Sequence, residues 1–374
     1  MKRTLRALGC LLLAGLTPGC AAFTTVLGPT GARPAPRPLP VAGTTLHDFK
    51  GVVHCHSHLS HDSDGTIEQI AAACVVAGLD FLVMTDHQTD ESIRDGRRGM
   101  VGDTLFLVGA EVRSPQGTLL CFPLTKPLRH FQHPGLLAKE AAQQGGLAFV
   151  GHGERWRIPF AVPGLAGAEI VNLHAGVTTA GPVGTLATGL FLPMRMLMRR
   201  LCVRDDTVLA AWDAALAQQH PFTPVGGNDA HANIRVFGPL GGTIANYQEV
   251  FLTLSTHVLA ERLDEASLVD ALRQGRSYVS FDIFGEGAGF DFRAVDAAGA
   301  VHLGGATVPR DTGLTLRVFA PADGSIRLLR DGHEVARRDG RGLLVHDPAP
   351  GVYRVEVFTS AGNPWLFSSS IRVL

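Results

Sequence analysis

Short apolar runs that stop at a polar group recur through the first part of the chain, and most are followed by a stretch with helical spacing. Gly51-Val52-Val53-His54-Cys55-His56 reads as a strand, whose alternating side chains put His54 and His56 on one face and Cys55 on the other. After Thr66, the spacing of Ile67, Ile70, Ala71, Cys74 and Val75 predicts a helix, and Phe81-Leu82-Val83-Met84 a second strand stopping at Thr85-Asp86-His87. A polar loop over 88–102 leads to Thr104-Leu105-Phe106-Leu107-Val108, which stops at Gly109-Ala110-Glu111. A strand over 118–122 and a helix over 136–144, broken by Gly145-Gly146, precede Leu147-Ala148-Phe149-Val150 and its stop at Gly151-His152. The run 168–173 stops at His174, a helix passes through Trp212, and 222–227 leads to Asn228-Asp229-Ala230-His231.

Strands that alternate with helices and carry polar residues at their carboxy ends predict a parallel α/β barrel with a site on one rim. The segments 249–254, 266–274 and 277–280 are expected to close it. Beyond Asp282 the helical spacing gives way to β runs over 314–319, 326–330, 343–346, 351–358 and 369–373, separated by turns at Asp331-Gly332 and Pro350-Gly351. These predict a small all-β sandwich. It holds no constellation of acids and histidines, so its expected role is structural or in docking.

At the start, Lys2, Arg3 and Arg6 precede an apolar run over 7–16, the layout of an export signal and too short to span a bilayer. Thr17-Pro18-Gly19-Cys20 resembles a bacterial lipobox, with leucine one place further back than usual and an atypical proline. Lipidation of Cys20, giving membrane attachment, and ordinary cleavage after Ala22 are the two readings. Pro29, Pro34, Pro36, Pro38 and Pro40 make an extended tether. The expected organisation is therefore 1–22 export signal, 23–45 linker, 46–285 barrel and 286–374 β-sandwich, in a protein of the periplasm or cell envelope.

Lys and Arg total 33 against 34 Asp and Glu, which gives no case for a nucleic-acid partner or a strongly acidic one. Cys10 and Cys20 lie in the export segment. Cys55, Cys74, Cys121 and Cys202 stand singly in apolar contexts and read as buried thiols.

The chemistry lies in what the strands end on. His54, His56, His87, Glu111, His152, Asp229 and His231 are metal-ligand types gathered at strand ends, a pattern that packing does not explain. Any one of these histidines alone would be a solvated loop residue or a hydrogen-bonded core residue; the set points to a metal. In the loop after His56, spacing favours His61 as a ligand, with Asp62 and Asp64 as alternatives. His174 can complete the metal set, bind substrate or cap its strand. Arg155 and Arg235, beside two of the strand ends, are candidates to clamp a phosphate, or else plain surface arginines. The stretch 190–204, with Met194, Met196 and Met198 beside Arg195, Arg199, Arg200 and Arg204, reads as a packed helix with a solvated basic face, or as a lid or membrane-surface segment.

On His54-Cys55-His56, Thr85-Asp86-His87, Gly109-Ala110-Glu111, Gly151-His152 and Asn228-Asp229-Ala230-His231, the chain resembles the PHP family, the polymerase and histidinol phosphatase metal-dependent hydrolases, over 46–282. Ser60-His61-Asp62-Ser63 is similar to the branch whose members often carry a carboxy-terminal β domain. The resemblance implies a distorted, seven-stranded β/α barrel, two or three divalent ions (zinc, manganese or iron), and Glu111 as a bridge between two of them. The chain departs from the family over 118–122, which has no histidine where many members supply one. That departure weakens the case for a full three-metal site.

On this reading His54, His56, Glu111 and Asp229 surround one ion, Glu111 and His152 hold a second, and His61, His87 and His231 a third. Such ions would lower the pKa of a water and so supply a hydroxide nucleophile for phosphorus. Asp229 takes or relays a proton, and His231 or His87 protonates the leaving group. The expected function is hydrolysis of a small-molecule or lipid phosphodiester or phosphomonoester. More ligands than one ion can use, with arginines beside them, suit a phosphoryl group that spreads charge over several oxygens. Cleavage of a carboxylic ester, amide or carbamate on the same site is the alternative, and a non-catalytic exported metal-binding protein a further one.

Overall fold

A computed structural model describes residues 41–173, 175–176, 194–231, 234–235, 243–244 and 246–374. The export signal, Cys20 and the proline tether up to residue 40, together with His174, lie outside the described residues. The described residues form one compact unit of mixed α/β structure, with a large sheet and few helices.

The sheet begins with β1 (His47–Cys55), β2 (Phe81–Met84), β3 (Gly99–Val101), β4 (Thr104–Val108), β5 (Ala110–Ser114), β6 (Gly117–Phe122), β7 (Leu147–Gly151), β8 (Gly167–Asn172) and β9 (Thr223–Ala230). From β1 the pairing passes through β2 to β4 and its continuation β5, then through β6, β7, β8 and β9 back to β1. The sheet thus closes on itself. It is not the purely parallel ring that the strand–helix alternation predicts: β6 lies antiparallel to both β5 and β7. Only Pro115 and Gln116 separate β5 from β6, and a turn that short can join antiparallel neighbours but not parallel ones.

Burial on both faces explains the unbroken apolar strands. In β2, Phe81 and Val83 point into the ring with Phe49, Val53, Leu105, Leu107 and Phe149, while Leu82 and Met84 join the layer packed under the helices. That outer layer includes Ile70 and Cys74 of α1 (Ile67–Ala77), a helix opened by a Thr66–Gln69 capping box and ended by Gly78 at φ 65°. Further helices among the described residues are α2 (Asp90–Arg94), α3 (Pro134–Gln143), α4 (Met194–Leu201), α5 (Asp206–Gln218), α6 (Tyr247–Phe251) and α7 (Glu265–Arg273). The described part of the methionine- and arginine-rich stretch is α4, which buries Leu197, Met198 and Leu201 and sets Arg199 over the Phe284 ring at 4.9 Å. It is a packed helix. No helix among the described residues is long and apolar enough to cross a membrane.

After β10 (Ile234–Arg235) and β11 (Thr243–Ile244), which pair with each other, come β12 (Ser255–Ala260) and β13 (Ser277–Ser280). The expected closing segment over 249–254 is instead the end of α6 and the turn into β12. Nor do β12 and β13 close the ring. β12 lies antiparallel along the first half of β1, from His47 opposite Ala260 to Gly51 opposite Thr256, and β13 lies beside β12. The remaining strands are β14 (Asp291–Val295), β15 (Val301–Leu303), β16 (Thr307–Val308), β17 (Thr315–Arg330), β18 (His333–His346), β19 (Gly351–Thr359), β20 (Pro364–Ser368) and β21 (Ile371–Val373). The runs expected at 314–319 and 326–330 are one long strand, β17, and the last expected run, 369–373, is shortened to β21, with Ser369-Ser370 separating it from β20. These strands have their own apolar core, with Leu316, Ile326, Leu328, Val355, Trp365 and Ile371, and β20 pairs with β13 to continue the sheet.

Candidate metal centre

The ligand-type residues gather where the strands of the closed sheet end. His54 sits in β1, His87 comes after β2, Glu111 lies in β5 just past Gly109, His152 comes after β7, and Asp229 and His231 stand at the end of β9. Strand alternation is not what aims His54 and His56. His54 has φ 71°, and the register of β1 against both β2 and β9 shifts between Val53 and Cys55. His152 and Asp229 are also left-handed, each at φ 49°. A side chain in that region costs roughly 1–3 kcal/mol, so three such residues at one spot mark a conformation that the surrounding contacts enforce.

Around Glu111 and Asp229 the imidazoles close in. His54 Nε2 lies 3.2 Å from Asp229 Oδ1 and 3.5 Å from Glu111 Oε2, and His56 Nε2 lies 3.5 and 3.3 Å from the same atoms. His152 Nε2 lies 3.4 Å from Glu111 Oε1 and 3.6 Å from Asp229 Oδ2, and His87 Nδ1 3.5 Å from Glu111 Oε2. A tetrahedron built on bonds of about 2.0–2.2 Å has edges of about 3.3–3.6 Å, so these separations suit donors that share an ion. Nε2 of His54 and of His56 are buried and have no hydrogen-bond partner. A buried polar nitrogen in that state is costly unless something binds it, and the residues therefore fit a metal.

The electrostatics carry the same demand. Burial disfavours charge on His54, but Glu169 and Asp229 outweigh it and push its pKa well above that of an ordinary imidazole. His152 goes up to about 10 against its own burial, through Glu111 and Glu154, whereas at His56 burial wins and the pKa falls. Burial would raise both central carboxyls. The histidines instead hold Glu111 well below the usual carboxylate range and Asp229 below it as well. Buried carboxylates are drawing positive charge into the cluster, the charge that a divalent ion would supply.

In the loop after His56, the carboxylate is better placed than the imidazole. Asp62 Oδ2 lies 3.0 Å from His87 Nε2 and 3.3 Å from His231 Nε2, and Ser60 Oγ donates to Asp62 Oδ1 at 2.7 Å. His61 is exposed, with its ring 4.7 Å from that of His87, and ligand atoms of His61, Asp62 and His87 do come together. Ligand atoms also come together in the groups His54–His56–Asp229, His54–Glu111–His152, His56–His87–Glu111 and His56–Asp62–His231. Asp86 is engaged by the loop: it accepts the Ser57 N–H at 2.5 Å and the Ser57 hydroxyl at 2.9 Å, and so ties the loop down.

Arg155 stands beside the centre, half exposed, 3.6 Å from Glu154, which in turn lies 3.4 Å from His152 Nδ1. Arg235 lies in β10, and its side chain is outside the described residues, as is His174. The residue that strand-end reasoning missed is Glu169, in the middle of β8, whose carboxylate lies 2.6 Å from His54 Nδ1. Its signal was a lone acid in the apolar run Ala168-Glu169-Ile170-Val171.

No family model and no curated protein matches the chain. Solved structures do. A two-domain protein of Bacteroides vulgatus ATCC 8482, containing a part predicted as a PHP-like metal-dependent phosphoesterase, is 15% identical with a TM-score of 0.43, over 91% of this chain and 99% of that one. The chain is similar to PHP-like proteins. A protein of Bifidobacterium adolescentis ATCC 15703, named as a candidate metal-dependent phosphoesterase, is 13% identical with a TM-score of 0.29, over 54% of this chain and 93% of that one. The PmoD soluble domain of Methylocystis sp. ATCC 49242 is 9% identical with a TM-score of 0.18, over 23% of this chain and 90% of that one.

Proposed function

We propose that this chain is an exported, metal-dependent phosphoesterase of the PHP kind, acting on a small-molecule or lipid phosphodiester or phosphomonoester. The reading takes the closed sheet as the family's distorted seven-stranded barrel over 46–285, and 286–374 as a small β-sandwich that serves it structurally. One observation carries it: His54, His56, Glu111, His152 and Asp229 converge, with two buried imidazole nitrogens lacking any hydrogen-bond partner.

Two or three divalent ions, zinc, manganese or iron, would be held by His54, His56, Glu111 and Asp229, by Glu111 with His152, and by Asp62 or His61 with His87 and His231. When bound they would supply Lewis-acid charge for the phosphoryl oxygens and lower the pKa of a water. The chain does the rest. Asp229, whose side chain is buried between His54 and His56, would take or relay a proton. Where the centre holds two ions and not three, His231 or His87, both partly exposed and both close to Asp62, would give one to a departing alkoxide. Arg155 offers a fixed positive charge beside His152 for a phosphate oxygen.

The test is a comparison of a phosphodiester, a phosphomonoester and an aryl carboxylic ester on purified protein with manganese, zinc or iron, before and after chelation. Metal-dependent cleavage with the phosphoesters ahead is the expected result. A marked preference for the aryl ester would move the site to carboxylic ester, amide or carbamate hydrolysis, and metal binding without any turnover would leave a non-catalytic binding protein. For the envelope assignment, Cys20→Ser should release the protein from membranes, and a cytoplasmic protein with Met1 intact would refute export.

A further inference from the structure

We infer that Glu169 is a positioning residue: it reaches from β8 across β9, over Gly227, and fixes His54 for the metal centre. The inference rests on the metal-site reading.

Glu169 is almost fully buried, and both of its oxygens are in use. Oε1 lies 2.6 Å from His54 Nδ1, while Oε2 accepts the backbone N–H of His152 at 2.7 Å and a hydrogen from Asn172 Nδ2 at 3.2 Å. A carboxylate only accepts, so Nδ1 must be the protonated nitrogen of His54. The other nitrogen, Nε2, is then left to present its lone pair toward Glu111 and Asp229 when an ion replaces the proton there. The same carboxylate anchors His152 through its backbone, at a residue whose φ of 49° needs outside support. One buried acid therefore sets two of the ligands, on opposite sides of β9.

The path of the side chain explains a glycine. β9 lies between β8 and β1, with Gly227 opposite Asn172 on one side and Val53 on the other. A Cβ at Gly227 would stand 1.9 Å from Glu169 Oε1 and 2.5 Å from its carboxyl carbon. Gly227 is not among the glycines with positive φ, so space, and not backbone conformation, is what requires it. A methyl group there would push the Glu169 carboxylate out of its place beside His54.

The test uses the full chain, wild type, Glu169→Gln and Gly227→Ala, with zinc and cobalt as the probes. Glutamine keeps the volume but sets an NH2 group against donors, so either the His54 contact or both contacts of Oε2 must fail. Zinc affinity by calorimetry should fall by about ten- to a hundredfold. The cobalt absorption bands should shift, and the His54 Nδ1–H signal of the zinc-loaded protein should be lost or displaced in 15N-resolved NMR. Gly227→Ala, which alters no ligand, should reproduce that signature; if it does not fold, as judged by circular dichroism of the metal-free protein, Glu169→Gln decides alone. A folded Glu169→Gln protein with wild-type zinc affinity, unchanged cobalt bands and an intact Nδ1–H signal overturns the inference while leaving the metal site standing. If wild type binds neither ion, the metal-site reading fails, and the inference that Glu169 serves that site falls with it.

Discussion

Two buried gatherings of opposite charge in this molecule are resolved in different ways. At the joint between α5 and β19, Arg354 donates to both oxygens of Asp213 at 2.6 and 2.7 Å and to Glu356 at 2.7 Å, with its guanidinium over Trp212 at 5.2 Å. Arg204 forks onto the same Glu356 at 3.1 and 3.0 Å. Permanent cations there answer permanent anions. At the end of the closed sheet, Glu111 and Asp229 meet imidazoles, whose charge is conditional, and Nε2 of His54 and His56 lack hydrogen-bond partners. A network closed by arginine is complete within the chain, whereas one closed by histidine leaves a place for a cation from outside.

Removing a ligand should separate the two regions most sharply. His56→Ala or Asp229→Ala is expected to lower metal-dependent turnover by about a thousandfold or more, with metal content falling in parallel by mass spectrometry. Full turnover with unchanged metal would show that the site is misassigned. The melting temperature of the metal-free protein should change little by comparison.

Arg354→Ala should do the reverse. Taking the buried guanidinium from Asp213, while Arg204 still holds Glu356, costs about 3–5 kcal/mol, readable by urea denaturation, while the folded protein keeps its metal affinity. A loss below about 1 kcal/mol would place this network among solvated surface pairs. A drop in metal affinity would mean that the two regions are coupled.

A smaller effect is expected at the edge of the centre. Losing one charge-assisted phosphate contact costs roughly 1.5–3 kcal/mol, so Arg155→Ala should slow phosphoester turnover by about ten- to a hundredfold with metal content intact. Arg235→Ala should behave alike. A neutral aryl ester should feel either change much less, and selective loss of the aryl-ester activity would count against the phosphoryl reading.

The smallest effect is one of pH. Burial would raise the Glu356 pKa, but Arg204 and Arg354 hold it below the ordinary value. The stability this lends is fully present above the unfolded value of about 4.3 and is lost as pH falls through the lower folded one. Melting temperatures of wild type and Glu356→Gln should therefore differ most near neutrality and draw together in acid; a constant gap down to pH 3 would rule out this linkage.

Legibility in the sequence depended on distance along the chain. Runs such as Phe81-Leu82-Val83-Met84 declare a strand buried on both faces, and the ligand type just beyond such a run, His87 or Glu111, is a local matter of where the run stops. Even there, His54 reached its position by a bulge and a left-handed backbone that the simple alternation of β1 did not contain. Asp62 and His61 are neighbours in a loop with no period, so spacing alone could not rank them. Glu169 was harder still. Its partner is far along the chain and two strands away in the sheet, and only the pairing order shows that Gly227 clears the way. The antiparallel β6 was legible in the brevity of the turn at Pro115-Gln116, which the barrel expectation overrode.

β13 has a neighbour along each margin: β12 on one, and on the other β20, with Tyr278 opposite Ser368 and Ser280 opposite Leu366. A chain stopped near residue 285 would keep every ligand of the centre and yet have a torn hem, a row of amides and carbonyls bared along Tyr278-Val279-Ser280. Such a margin stitches itself to any extended segment that it meets, another copy included. The ligand-bearing part is therefore poor material for excision as a portable catalyst, and whoever trims the carboxy-terminal strands must bind off that edge first.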